Sequence, residues 1–388
     1  MLPCLIVFGR VPLFPFVLHF YAAGTVAVML ALSYGASAWS FVLLRYTALR
    51  LAFVAATALL AACASGGEPA PRLTDEEFWR ISTALSEPGG SFHTDNLVSN
   101  ELSIAYAPRQ LQPAGGVYIG VGPEQNFSYI AALEPELAFI IDIRRENLVL
   151  HLLYKALFEL SADRAAFLSR LFSRQQPPGL IRNVPVDELV ASYDAALSSK
   201  ALLDDTTREV TTALSERRGW LLSDADASEL ARVLEAFAAD GPLIHYDRTR
   251  PASDQRPSYA TLMLAADQMG VRRSYLASEE RFAFVKDLHA RNLIIPVVGD
   301  FGGGVIARVG DEIRRRGDRV TAFYASNVEV YLTNQQMIAF CGSLRGLPWD
   351  SDGVFIDSKG VESLTTKLAA CPPDRRPFAG SKRPAPVK

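Results

Sequence analysis

Residues 117–126 read Val-Tyr-Ile-Gly-Val-Gly-Pro-Glu-Gln-Asn, and residues 137–143 read Leu-Ala-Phe-Ile-Ile-Asp-Ile. A short apolar run ends in Gly120 and Gly122, a helix-forming segment from Gln125 to Leu133 follows, and a second apolar run ends in Asp142. The order is strand, tight glycine turn, helix, strand, acid. Two fully apolar strands separated by a helix belong in a parallel sheet covered on both faces. Glycines let a ligand approach the backbone, a helix N-terminus offers free N–H groups, and an acid about 20 residues further on can take ribose hydroxyls. Such a chain is expected to fold as a doubly wound α/β sheet with a nucleotide-type site at this turn.

The rest of the chain extends that frame. Thr74 and Glu77 form a capping box for a helix carrying Phe78, Ile81 and Leu85 on one face. Glu87-Pro-Gly-Gly90 stops it, and the polar run Phe92 to Glu101 is placed to fold over the glycine turn or simply to satisfy its own backbone. After Asp142, residues 150–290 are mostly helical in period, with Ala162 to Phe172, Val186 to Leu197, Asp205 to Glu216 and Ser223 to Ala239 each amphipathic. This predicts a large helical insertion after the second strand. The sheet resumes at Leu293 to Asp300, continues at Arg319 to Asn327, and ends at Gly353 to Ser358. The Pro-, Lys- and Arg-rich tail, 371–388, is expected to be disordered.

The N-terminus has a different composition. Residues 11–44 lack Lys, Arg, Asp and Glu, long enough to span a bilayer. Arg45 and Arg50 then precede an apolar stretch ending in Leu60-Ala-Ala-Cys63, the n-region, h-region and small-residue order of a secretory signal. Leu60 to Cys63 resembles the lipobox of bacterial lipoproteins, which implies acylation at Cys63 and a mature protein anchored in the cell envelope. A start read too early, leaving residues 1–41 unmade, accounts for the extra upstream span, and a plain membrane anchor is the competing account. Residues 64–72 read as a tether and 73–370 as the folded domain. If the leader is an artefact, the domain is cytoplasmic.

Composition excludes some partners. The net charge is -3, and removing the three arginines of residues 1–63, which carry no acid, leaves -6 for the remainder. That balance argues against a nucleic-acid binder. The four cysteines contain no C-x-x-C pair, so no zinc or redox motif is expected. Cys341 and Cys371 read as two separate thiols, with a bridge as the alternative in an exported protein. Isolated histidines give no metal pattern, and no G-x-S-x-G motif is present.

Gly120 and Gly122, Asp142 and Asp300 fall after successive strands. On those residues the chain resembles the class I S-adenosylmethionine-dependent methyltransferases, whose sheet is Rossmann-like. The resemblance implies a glycine turn cradling the cofactor, an acid on the ribose, an acid on the adenine and a substrate side at the fourth strand. The cofactor residues implied are Gly120, Gly122, Glu124, Asn126, Asp142, Asp300 and Phe301. Asn96, Ser326 and Asn327 are the substrate candidates, and Asp95, Glu101 and Glu329 the candidate bases. The first strand lacks the family's usual acid, Pro123 shortens the turn, and the insertion is larger than usual. Gln125 replaces the third glycine of the dinucleotide fingerprint, which weakens a nicotinamide reading. Over about residues 75–360 the chain is also similar to a bacterial protein family without an assigned activity. Two functions stay open: a methyltransferase, and a non-catalytic envelope lipoprotein that binds a ligand or partner.

Overall fold

The computed structural model describes residues 72–251, 253 and 256–372. The apolar leader, Cys63 and the tether up to residue 71 lie outside the described residues, as do residues 373–388. Six strands form one sheet in the order β3-β2-β1-β4-β5-β6. They are β1 (Val117–Val121), β2 (Leu137–Asp142), β3 (Ile294–Val298), β4 (Val320–Ser326), β5 (Trp349–Asp357) and β6 (Gly360–Ser363). All neighbours are parallel except β5 and β6, which pair antiparallel. The first three strands are buried along their whole length, which is why their sequences are unbroken apolar runs.

The expected α/β doubly wound, mostly parallel sheet with a helical insertion is what the chain forms. Helix α1 (Asp75–Leu85) carries the anticipated capping box, with Thr74 N–H donating to Glu77 at 2.8 Å. It covers the outer edge of β3. Ser82 donates to the Pro296 carbonyl at 2.6 Å, the Val298 N–H donates to Ser86 Oγ at 3.0 Å, and the Glu87 N–H donates to the Val298 carbonyl at 2.8 Å. Helix α2 (Gln125–Leu133) follows the glycine turn and has no exposed residue. Helix α3 (Arg145–Leu160) opens the insertion, which continues through α4 (Arg164–Leu171), α5 (Val186–Ala195), α6 (Lys200–Thr211), α7 (Asp224–Asp240) and α8 (Tyr259–Leu264) to α9 (Glu279–Ala290).

The helices of the insertion are tied to one another by polar contacts, and Tyr275 N–H donates to Ser128 Oγ of α2 at 3.1 Å. Arg145 grips Asp226, at the start of α7, with two bonds of 3.0 and 2.9 Å. Arg164, almost fully buried, bonds Glu279 at 2.8 Å and the Leu276 and Val184 carbonyls at 2.7 and 2.8 Å. Around Phe127 of α2, the rings of His151, Tyr154, Phe158, Tyr275 and His289 meet edge-on at 5.2–5.6 Å. Edge-to-face contact of this kind is favoured by the ring quadrupole. Tyr259 is packed in this core, where its hydroxyl meets that of Tyr275.

At the other end of the sheet, α10 (Val305–Arg316), α11 (Asn334–Gly346) and α12 (Leu364–Ala370) complete the layer. Here one expectation is corrected. Cys341 and Cys371 are bonded, with Cα atoms 5.7 Å apart. Cys341 does sit on an apolar helix face, as its surroundings suggest. The short α12, which the sequence hides, returns the chain to that face. The tail from 371 is therefore structured at its start: Arg345 donates to the Cys371 and Pro372 carbonyls at 3.1 and 2.9 Å. Among the described residues no helix is long and apolar enough to cross a membrane.

Candidate functional site

A cleft of about 600 Å³ opens at the carboxyl ends of β1, β2, β3 and β4. Its floor is Val121 to Pro123, Asp142 to Arg144, Gly299 to Phe301, and the end of β4 from Tyr324 to Val328. The strand order reverses between β1 and β4, and in open α/β sheets ligands bind at that switch point.

The glycine turn is rigid. Gly122 has φ +77°, a left-handed conformation suited to glycine, and a Cβ there would meet nothing within 4 Å. That open space is the cleft. Behind the turn, Asn126 is fully buried and donates to the carbonyls of Val121, Gly122 and Pro123 at 2.9, 3.1 and 2.7 Å. Its Oδ1 accepts from the Tyr118 hydroxyl at 2.8 Å. His151 Nε2 contacts the Gly122 carbonyl at 2.8 Å; since a carbonyl only accepts, Nε2 carries the proton. Burial holds this imidazole neutral, with its pKa lowered to about 4.

The structure divides the seven expected cofactor residues. Gly122, Asp142, Asp300 and Phe301 line the cleft. Gly120, Glu124 and Asn126 do not. A Cβ on Gly120 would lie 1.9 Å from Asn126 Oδ1, so this glycine makes room for the brace, not for a ligand. Glu124 is fully buried, accepts from the Ser99 N–H at 3.2 Å, and has its pKa raised to about 8 by burial. Sequence spacing places these residues at the turn but does not say which way they point.

The two acids at the strand ends are already held. Asp142 Oδ1 accepts from Arg144 N–H and Nε at 2.9 and 3.1 Å, and Oδ2 accepts from Arg144 Nη2 at 3.1 Å. Asp300 accepts from Gly302 N–H at 2.8 Å and from Gln336 at 3.0 Å. Asp142 Oδ2 and both oxygens of Asp300 accept one bond each and keep a second lone pair, so both acids remain able to accept from a ligand hydroxyl or amine, in a fixed orientation. Arg144 also donates to the Asp95 carbonyl. It was not anticipated, although its adjacency to Asp142 was a signal.

The loop before β1 forms the wall. Glu87 accepts from the Asp300 N–H at 3.0 Å and from Arg308 at 2.8 Å. Burial opposes its charge, but these donors hold its carboxyl below the usual range. Asn96, at φ +47°, lines the cleft, as do Ser326 and Asn327, so all three substrate candidates converge. Phe92 and His93 meet Tyr331 at 5.1 and 6.2 Å between ring centres and make an aromatic mouth that the sequence reading missed.

The three candidate bases separate. Asp95 is half-exposed and paired with Arg232 at 3.0 Å outside this cleft. Glu329 is paired with Lys367 beside the disulfide, lining a different cavity. Of the three carboxylates, Glu101 lies behind the cleft wall, bonded to two hydroxyls of residues that line it. It is 6% exposed, accepts from the Tyr324 hydroxyl at 2.9 Å, and accepts from Ser326 Oγ. Burial raises its pKa, the two hydroxyls partly offset that, and Asp357 raises it again. Among the described residues no cluster of three or more His, Cys, Asp or Glu is arranged to hold a metal ion.

The profile of a family described as Domain of unknown function (DUF7790) matches residues 96–228 and 245–375, more than half of the chain. That span includes β1 to β6 and every cleft residue from Asn96 onward. No curated protein matches the chain. By the extent of the profile match, which takes in the whole sheet and most of the cleft, the chain belongs to the DUF7790 family.

Proposed function

We propose that the cleft binds a nucleoside-bearing small molecule, with S-adenosylmethionine as the first candidate and methyl transfer to an acceptor at the β4 end as the reaction. One observation carries this reading. At the switch point of the sheet, Gly122 leaves open space above the turn while Asp142 and Asp300 stand fixed at the two neighbouring strand ends. Two carboxylates at that spacing suit a ribose diol and an exocyclic amine, and an open glycine suits close approach of the rest of the ligand. The bound cofactor would supply an activated methyl group. This chain's own contribution would be orientation and exclusion of water, by the Asp142–Arg144 pair and the aromatic mouth, because alignment dominates such a transfer.

The test is calorimetric titration of the full chain with S-adenosylmethionine, S-adenosylhomocysteine and NAD. Micromolar binding of the first two, lost in Asp142→Ala with the fold intact, is the expected result. A folded chain that gives no heat with any of the three refutes the reading.

The disulfide favours a second reading. Disulfides persist in oxidising compartments, and Cys341–Cys371 joins the lipobox at Cys63 in pointing to export. On that reading the protein is an envelope lipoprotein whose cleft binds a ligand without catalysis. Metabolic labelling with a fatty acid, lost in Cys63→Ser, is its expected signature; an unlabelled chain with an intact Met1 removes it.

A further inference from the structure

Ser326 is the last residue of β4, opposite Asp357 of β5, where the ladder is irregular. Its φ is +53°. For a residue with a side chain this left-handed conformation is disfavoured by the close approach of Cβ to the following carbonyl oxygen, and such outliers collect where function demands a particular side-chain direction. Here the direction is set: Ser326 is half-buried, lines the cleft, and its hydroxyl donates to Glu101 Oε1. The other oxygen of Glu101 is fixed by the Tyr324 hydroxyl at 2.9 Å. The Glu101 N–H donates to Ser99 Oγ at 3.3 Å, so main chain and side chain of the acid are both held.

We infer that Ser326 is an activated nucleophile, with Glu101 as its base and Tyr324 as the group that orients the base, acting on an acyl ester or thioester. A hydroxyl within hydrogen-bond reach of a base that a third group orients is the general signature of nucleophilic catalysis, whatever the identity of the base. Ser326 Oγ forms a bond to the acyl carbon as its proton passes to Glu101. The bond to the leaving alkoxide or thiolate breaks, and Glu101 returns the proton to that group. Water then cleaves the acyl-serine by the same route in reverse, regenerating hydroxyl and carboxylate. Asn100 and Asn327 line the same cleft, and Asn327 Oδ1 lies 3.5 Å from Ser326 Oγ; a carboxamide so placed offers an N–H donor for the developing oxyanion once its amide turns. Burial, which raises the proton affinity of Glu101, makes it a stronger base than a solvated carboxylate. The inference is independent of the nucleoside reading, since it concerns the β4 side of the cleft and is read by covalent labelling, not by ligand binding.

The experiment treats the full chain with an alkyl fluorophosphonate, which forms a phosphorus–oxygen bond to an activated serine and releases fluoride. Peptide mass spectrometry locates the label. The expected result is one phosphonyl group per chain on Ser326, none at that peptide in Ser326→Ala, and labelling slowed about 100-fold or more in Glu101→Gln, the scale of general-base assistance. Absence of label at Ser326 in the folded chain overturns the inference, as does a Glu101→Gln rate equal to the parent rate. If circular dichroism shows that Glu101→Gln is unfolded, the pH dependence of labelling in the parent chain decides. A rate that rises through one titration and levels off supports Glu101 as base. A rate climbing about tenfold per pH unit to pH 9 is that of an unassisted hydroxyl and overturns it.

Discussion

Asn126→Ala is expected to be among the most damaging single changes in this chain, although Asn126 never touches the cleft. Its amide nitrogen has two hydrogens shared among three carbonyls at 2.7–3.1 Å, and its oxygen takes the Tyr118 hydroxyl. Truncation removes about three net hydrogen bonds, each contributing about 1 kcal/mol, and strands a buried phenol hydroxyl at a cost of about 1–3 kcal/mol. The expected loss is thus about 4–6 kcal/mol, read as a lower urea midpoint by tryptophan fluorescence with an unchanged slope. Tyr118→Phe removes one of these bonds, leaves the buried Asn126 Oδ1 without its donor, and should cost about 1–3 kcal/mol. Asn126→Asp is the sharper control. It keeps the shape and the Tyr118 bond but sets a carboxylate oxygen against three carbonyls, so it should be at least as damaging as alanine. An Asn126→Ala loss below about 1 kcal/mol, or an Asn126→Asp chain as stable as the parent, would falsify the view that this carboxamide holds the turn.

Three further outcomes follow from buried or cross-linked groups. Arg144→Met leaves the Asp142 carboxyl buried and without its bidentate partner, and should cost about 3–5 kcal/mol in the same assay. Glu124 has its pKa raised from 4.5 to about 8 in the folded state. Its stabilising contribution is therefore full below pH 4.5 and is lost as pH rises toward 8, by about 3 kcal/mol at pH 7. Glu124→Gln, which has no such proton to lose, should gain on the parent across that window and match it near pH 4.5; parallel pH–stability curves would contradict the assignment. Reducing the Cys341–Cys371 bond opens a loop of 30 residues and should lower stability by about 3.5 kcal/mol on the loop-entropy relation, with Cys341→Ser and Cys371→Ser insensitive to reductant.

The sheet was legible because buried parallel strands leave an unmistakable mark: β1, β2 and β3 are unbroken apolar runs bounded by turns. Strand β6, four half-exposed residues reading Gly-Val-Glu-Ser, carries no such pattern, and α12 is a single short amphipathic segment whose packing only the third dimension reveals. The cleft was half legible. Gly122, Asp142, Asp300 and Ser326 end strands or follow them, so topology alone brings them together. Gly120, Glu124 and Asn126 share the same sequence neighbourhood but turn inward. Pro123 shortens the turn, and Asn126 is spent on its carbonyls. Asp95 and Glu329 lie apart from the cleft for a different reason: each has a cationic partner, Arg232 or Lys367, distant in sequence. Glu101 joined the site through two hydroxyls on β4, a contact across more than 220 residues that no local pattern encodes.

The cover that α1 places on β3 also closes the outer edge of the sheet. An uncovered outer strand is a template on which a foreign strand can be added, and successive additions make fibres. Pro296 supplies no N–H at the centre of β3, and the hydroxyls of Ser82 and Ser86 occupy the groups that an incoming strand would use. Loss of the first helix would therefore do more than weaken the fold. It would open the outer edge of β3, so that truncation before residue 87 is expected to show as self-association as well as unfolding.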